Sequence, residues 1–225
     1  MKSEVAIGVL CLDFGTERVK FQEDTPGCLR NDETVDFRVK REIVREATPA
    51  RFFPEGCFKE DPELLPYFIE AAKNLEARGV KAIAGDCGFM AIYQQDVARA
   101  VSVPVIASSL IMVPLVYRML AENKKVGILT PHPELGERQF NAVGWSGKDI
   151  PVTVKECIMT EEGLVKAAKE LVQENPDVGA IVAECAITPP YSHAIQKATG
   201  LPVFDIATLV KMVHAAVDPP DYSRE

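Results

Sequence analysis

Cys87 and Cys185 stand 98 residues apart and close two stretches of almost one pattern, Val80-Lys-Ala-Ile-Ala-Gly-Asp-Cys87 and Val178-Gly-Ala-Ile-Val-Ala-Glu-Cys185. Each is an apolar run that stops at an acidic residue and then a thiol. The register continues without a gap through Ala100 and Ala198 to Pro104-Val105 and Pro202-Val203. The match therefore covers a strand, a connection and the next strand. Two similar halves, each carrying a thiol at the end of a buried strand, could set those thiols on either side of one cleft. That geometry suits chemistry on the two faces of a carbon atom.

The elements that must position these thiols read as alternating strands and helices. Candidate strands are Val5–Cys11, Glu42–Ala47, Val80–Asp86, Val103–Ile106, Lys125–Leu129, Val152–Glu156, Gly179–Glu184 and Val203–Phe204. Their apolar character fits parallel sheets covered on both faces. Leu64–Ala77, Leu110–Ala121 and Glu161–Val172 carry apolar residues at helical spacing, and Thr160 is a plausible N-cap for the third. A second echo, Ile7-Gly-Val-Leu10 with Val126-Gly-Ile-Leu129, opens each half. The expected fold is α/β, with two pseudo-symmetric lobes of mostly parallel sheet flanked by helices and the active site between them. The first lobe is assigned residues 1–110 plus 205–225, the second 111–204. Phe14–Pro54 is the irregular part, with turn signals in Thr25-Pro-Gly-Cys-Leu-Arg-Asn31.

Bulk properties remove several function classes. A net charge of −8 and a pI near 5.1 argue against non-specific nucleic-acid binding. No stretch approaches the roughly 18–20 apolar residues of a membrane span. The amino-terminal apolar run is too short for a signal peptide. The six cysteines form no Cys-x-x-Cys pair and no zinc-type cluster with the three histidines. A cytoplasmic protein with reduced thiols is expected, without metal or cofactor, acting on a small anionic or carbonyl substrate, with no nucleic-acid or membrane partner. A homo-oligomer is compatible with these properties.

Gly85-Asp-Cys-Gly-Phe89, Pro104-Val-Ile-Ala-Ser-Ser109, Val126-Gly-Ile-Leu-Thr-Pro131 and Glu184-Cys-Ala-Ile-Thr-Pro-Pro-Tyr191 together resemble the aspartate/glutamate racemase superfamily. That superfamily includes hydantoin racemase, maleate cis-trans isomerase and arylmalonate decarboxylase. The resemblance spans both halves. It implies a cofactor-independent racemase or epimerase in which Cys87 and Cys185 face each other across an interlobe cleft, sulfurs about 7–8 Å apart, or roughly two van der Waals contact distances. Backbone N–H groups would stabilise the carbanion, and a helix starting after each cysteine would lower its pKa. Ser108, Ser109 and Thr130 would bind substrate, with Gly88 and Ala186 letting the backbone approach it and Asn31 a weaker contact.

Other residues have plainer readings. Asp86 and Glu184 point to the strand face opposite the thiols, where they would orient loops. His193 and Tyr191 are auxiliary candidates, although a lone histidine on a helix is more often solvated. Cys11, Cys28, Cys57 and Cys157 read as packing or surface residues. The amino-acid racemases follow their cysteines with Asn-Thr and Thr, where this chain has Gly88-Phe89 and Ala186. The groups that would grip an α-amino acid are thus missing, and bulky Phe89 suggests a less polar pocket. A hydantoin, a substituted malonate or another small carbonyl acid stays open as the substrate, beside an amino acid. The rival readings are a cis-trans isomerase of an unsaturated acid with a covalent cysteine, a decarboxylase with one proton-donating cysteine, and a non-catalytic small-acid binder.

Overall fold

The computed structural model describes residues 3–15 and 19–223. The lobe limits given above also take in residues 1, 2, 16–18, 224 and 225, which lie outside the described residues. The chain builds two four-stranded parallel sheets. The first contains β1 (Ser3–Cys11), β2 (Phe37–Ile43), β3 (Ala82–Gly85) and β4 (Val105–Ile106), in the order β2-β1-β3-β4. The second contains β5 (Lys125–Thr130), β6 (Val152–Glu156), β7 (Val178–Ala183) and β8 (Val203–Phe204), in the order β6-β5-β7-β8. The topology of one half is repeated in the other, and the α/β architecture follows the pattern expected from the sequence.

Helices connect and cover the strands. In chain order they are α1 (Lys20–Asp24), α2 (Pro49–Phe52), α3 (Leu65–Ala77), α4 (Gln94–Ala100), α5 (Val113–Met119), α6 (Glu137–Ala142), α7 (Glu161–Glu174), α8 (Ser192–Thr199) and α9 (Ile206–Val217). The glycine echo has a packing cause. A Cβ added at Gly8 would lie 3.0 Å from Leu75 of α3, and one at Gly127 only 2.6 Å from Leu171 of α7. In both halves the missing side chain lets a helix leucine rest on the central strand. Helix α9 returns to the first sheet, where the His214 ring stacks on Phe37 with centroids 3.7 Å apart. Among the described residues no helix is long and apolar enough to cross a membrane.

Two expectations need correction. The second strand is Phe37–Ile43, not Glu42–Ala47. It is an edge strand that mixes apolar residues with four charged ones, Lys40-Arg41-Glu42 in a row among them, and Ile43 is half exposed, so a search for solid apolar runs passes over it. Val44–Ala47 forms the turn after it, with Glu46 in the left-handed region at φ 65°. The irregular stretch Phe14–Pro54 accordingly contains β2 together with two short helices.

Candidate active site

Both cysteines follow the carboxyl ends of central strands, where open α/β sheets bind their ligands. Leu10 pairs with Gly85 in the first sheet, and Leu129 with Ala183 in the second. From there the two halves share hydrogen bonds as well as sequence. The Asp86 N–H donates to the Leu10 carbonyl at 3.0 Å and the Glu184 N–H to the Leu129 carbonyl at 2.9 Å. Beyond each thiol the chain turns the same way: Met90 N–H donates to the Cys87 carbonyl and Thr188 N–H to the Cys185 carbonyl, both at 3.0 Å. The amides of Phe89 and Ile187, each two residues on, approach the two sulfurs.

The halves meet at these turns. A Cβ at Gly88 would fall 1.9 Å from Glu184 Oε1 and 2.3 Å from the Glu184 carbonyl oxygen. Only glycine fits there, so the backbone following Cys87 lies directly against the residue preceding Cys185. Ser109, at the start of the 3-10 turn Ser109–Met112, crosses the same junction. Its Oγ donates to the Ala183 carbonyl at 2.7 Å, with the Glu184 carbonyl at 3.3 Å. Cys87 and Cys185 each keep partial solvent exposure, and a negative charge on Cys185 would be felt at Cys87.

The electrostatics oppose thiolate formation. Burial is the largest cause pushing both thiols well above the usual cysteine value, and the Glu184 carboxylate adds to it in each case. The nearby amides pull the other way and lose. The expected lowering by helix N-termini therefore does not prevail: the segment after Cys87 is a tight 3-10 turn, Gly88–Tyr93, and it supplies one amide against a dry, acidic surround. Glu184 is itself pushed up to about 7, by burial first and by the Glu134 charge, with the Thr130 hydroxyl opposing.

Asp86 and Glu184 each make polar contacts of their own. Asp86 accepts the Leu12 N–H at 3.0 Å and forms a buried ion pair with Arg30 at 2.6 Å. Arg30 also donates to the Leu12 carbonyl at 2.7 Å, which ties the loop after Pro26-Gly27 to the end of β1. Glu184 Oε2 accepts from Thr130 Oγ1 at 2.8 Å, and that oxygen accepts the His132 N–H at 3.2 Å. Among the described residues Glu184 has no ion-pair partner.

The other candidate residues divide by what they touch. Thr130 and Ser109 brace the lobe junction through the bonds above. Ser108 Oγ caps the following turn by accepting the Leu110 N–H at 3.3 Å. Asn31 is buried and uses both ends of its amide inside its loop, on the Glu23 carbonyl and the Glu33 N–H. Ala186 is buried, and His193 is exposed on α8. Tyr191 stacks on Phe21 at 6.3 Å, where Pro190 also packs on Gly27, so the first-lobe loop covers the Cys185 side. Phe89 is not pocket lining: its ring is 1% exposed and packs on Phe58 at 4.6 Å and Phe53 at 5.7 Å.

Three features escaped the sequence reading. Cys28 and Cys157 are near enough to Cys185 to affect it electrostatically. Arg30, one residue before Asn31, is the anchor of the loop. His132 stacks on Phe53 at 4.3 Å, and burial lowers its pKa. Only the Thr130-Pro131-His132 step after a strand end could have pointed to the last.

Comparison with known proteins extends this picture. The family model described as AroM protein matches residues 105–217. A dimethylsulfoniopropionate lyase of Durusdinium sp. clade D is 30% identical over 187 residues, covering 73% of this chain and 62% of that protein. Dimethylsulfoniopropionate lyases 5 and 7 of Emiliania huxleyi are 28% and 31% identical, each over 94% of this chain and over 45% and 67% of their own lengths. The chain thus spans about half to two thirds of these relatives. Among solved structures, a variant of arylmalonate decarboxylase with associated sulfate superposes with a TM-score of 0.65 at 16% identity, covering 97% of this chain and 98% of that one. Glutamate racemase from Francisella tularensis gives 0.53 at 18% identity, covering 98% and 85%. These structural likenesses establish a racemase- and decarboxylase-like fold.

Proposed function

Because the chain belongs to the AroM family, within the aspartate/glutamate racemase superfamily, we propose that it is a cofactor-independent lyase acting on a small carboxylate with a leaving group on the β carbon, of which dimethylsulfoniopropionate is the example. A thiolate of the Cys87–Cys185 pair removes a proton from the carbon next to the carboxylate. The electron pair left behind forms the carbon–carbon double bond as the carbon–sulfur bond breaks. Dimethyl sulfide leaves as a neutral molecule, acrylate remains, and the thiol holds the proton. The reading rests on one observation above the others: Gly88 and Glu184, the sequence neighbours of the two strand-end thiols, lie directly against each other. Similarity over 94% of this chain to proteins named dimethylsulfoniopropionate lyases supports elimination as the outcome.

Burial of the thiols is consistent with a base that becomes strong once deprotonated, as removal of a weakly acidic carbon-bound proton requires. Ser108, whose hydroxyl hydrogen is not used by its cap, is the group offered to a substrate carboxylate. The test is incubation of the protein with dimethylsulfoniopropionate, measuring headspace dimethyl sulfide and dissolved acrylate in equal amounts. Absence of both products overturns the lyase reading.

A second reading has its own support. Elimination needs one base, yet the repeat offers a thiol in each half, with the same turn and the same approaching amide. Two matched groups suit racemisation or epimerisation of a carbon acid with no leaving group, such as a hydantoin. Exchange of the α-hydrogen of such a compound in heavy water, without dimethyl sulfide release from the sulfonium acid, selects this reading.

A further inference from the structure

We propose that Glu184 is a positioning residue that fastens the two lobes together at the thiols and, through its own proton, governs when those thiols ionise. The inference deepens the carbon-acid reading of the site and rests on it for its catalytic meaning. Its geometry is independent of any substrate.

Glu184 is held from both lobes. Thr130 of its own lobe binds Oε2, Gly88 of the other lobe presses on Oε1 and on the main-chain oxygen, and Ser109 of that lobe donates beside the same carbonyl. Thr130 Oγ1 already accepts the His132 N–H, so its hydrogen is directed to Oε2. This leaves Oε1, on the lobe junction, as the oxygen to carry a proton. Burial also raises the pKa of the pseudo-equivalent Asp86, but Arg30 at 2.6 Å opposes that rise and favours its charged form. Glu184 has a hydroxyl in place of a cation.

The charge acting on it is acidic, the groups it acts on are thiols, and the neighbouring histidine, His132, faces Glu134 at 3.6 Å with its pKa lowered by burial. Glu134 lies beyond β5, Cys157 beyond β6, Cys87 across the junction and Cys185 next in sequence. A carboxyl so placed holds its proton to about pH 7. Once ionised, it sets a negative charge beside both sulfurs and opposes their ionisation. The carboxyl and the thiols therefore titrate as one coupled group.

The test is alkylation of the full chain by iodoacetamide from pH 6 to pH 10, read peptide by peptide in a mass spectrometer. Glu184→Gln is expected to speed alkylation of Cys87 and Cys185 about tenfold at a fixed pH between about 8 and 10, where Glu184 of the natural protein is ionised and both thiols are still largely protonated. Exposed Cys57 is the internal control and should not change. Glu184→Asp, which keeps the charge, should restore the slower reaction. Unchanged rates in Glu184→Gln, or equal acceleration of all three cysteines, overturns the proposal. If Glu184→Gln does not fold, Thr130→Val supplies the reading. Loss of its hydrogen bond should move the inflection near pH 7 upward, and a fixed inflection overturns the proposal. Because no substrate is present, a shifted profile in a protein that releases no dimethyl sulfide retains this role for Glu184 and removes the lyase reading.

Discussion

Asp86 and Glu184 occupy the same place in two repeated halves, each donating its backbone N–H to a leucine carbonyl of the central strand, yet among the described residues only Asp86 has a cation against its carboxylate. The ion pair of the first half fixes a loop. The unpaired acid of the second half sits where the lobes touch. The repeat therefore carries one polar residue in two different electrostatic states.

That difference has a measurable effect on stability. The folded value of Glu184 is raised above its unfolded one, so its contribution is fully present below the unfolded carboxyl value and is lost as pH rises towards about 7. The loss between roughly pH 4.5 and pH 7 should reach about 3 kcal/mol. Urea unfolding across that range should show the fall in the natural protein and a flatter profile in Glu184→Gln.

Breaking the buried pair of the first half should act in the opposite sense to removing an unpaired charge. Arg30→Met leaves Asp86 charged and dry, and should cost about 3–5 kcal/mol. Adding Asp86→Asn should recover much of it, because the stranded charge is gone. Equal stability of the single and double variants would contradict this account.

Gly88→Ala tests the junction itself. The new methyl would meet a carbonyl oxygen at 2.3 Å as well as a side chain, and the backbone atom cannot rotate away. The expected cost is about 1–3 kcal/mol of stability, together with loss of dimethyl sulfide release. Full activity with unchanged stability would show that the lobes do not need to meet this closely.

The thiols separate the two functional readings. Serine is nearly isosteric but far less acidic, so it cannot serve as the base at neutral pH. Under elimination, the variant lacking the base should lose dimethyl sulfide release by a factor of at least about a hundred, while the other keeps part of it. Under racemisation both Cys87→Ser and Cys185→Ser should lose inversion. Each should then exchange the α-deuterium of one enantiomer only, and the two should choose opposite ones.

What could be read from the chain was whatever the repeat made redundant. The strand ending at Cys87 is mirrored by the one ending at Cys185, so each supported the other, and the apolar runs marked the buried parallel strands. Strand β2 has no such support: its many charges belong to an edge, and its turn at Glu46 has no glycine to announce it. Contacts across the junction were equally hidden. Gly88 suggested room for a ligand, but whether its missing Cβ admits a ligand or Glu184 depends on a pairing between residues 96 positions apart. The Arg30–Asp86 pair is of the same kind, because no local pattern assigns a loop arginine to a distant strand end.

The return of α9 to the first sheet also sets an order of events on the ribosome. Ile206, Leu209 and Val210 are buried, and the helix packs on β1 and β3. About a hundred residues therefore separate the last strand of that sheet from the helix that covers it. At ordinary rates of synthesis this interval lasts roughly 5–20 seconds. Meanwhile the second sheet, whose strands all lie within residues 125–204, can assemble from its own helices. The half made first is thus finished last, and during that interval its uncovered apolar face is the surface a chaperone would meet.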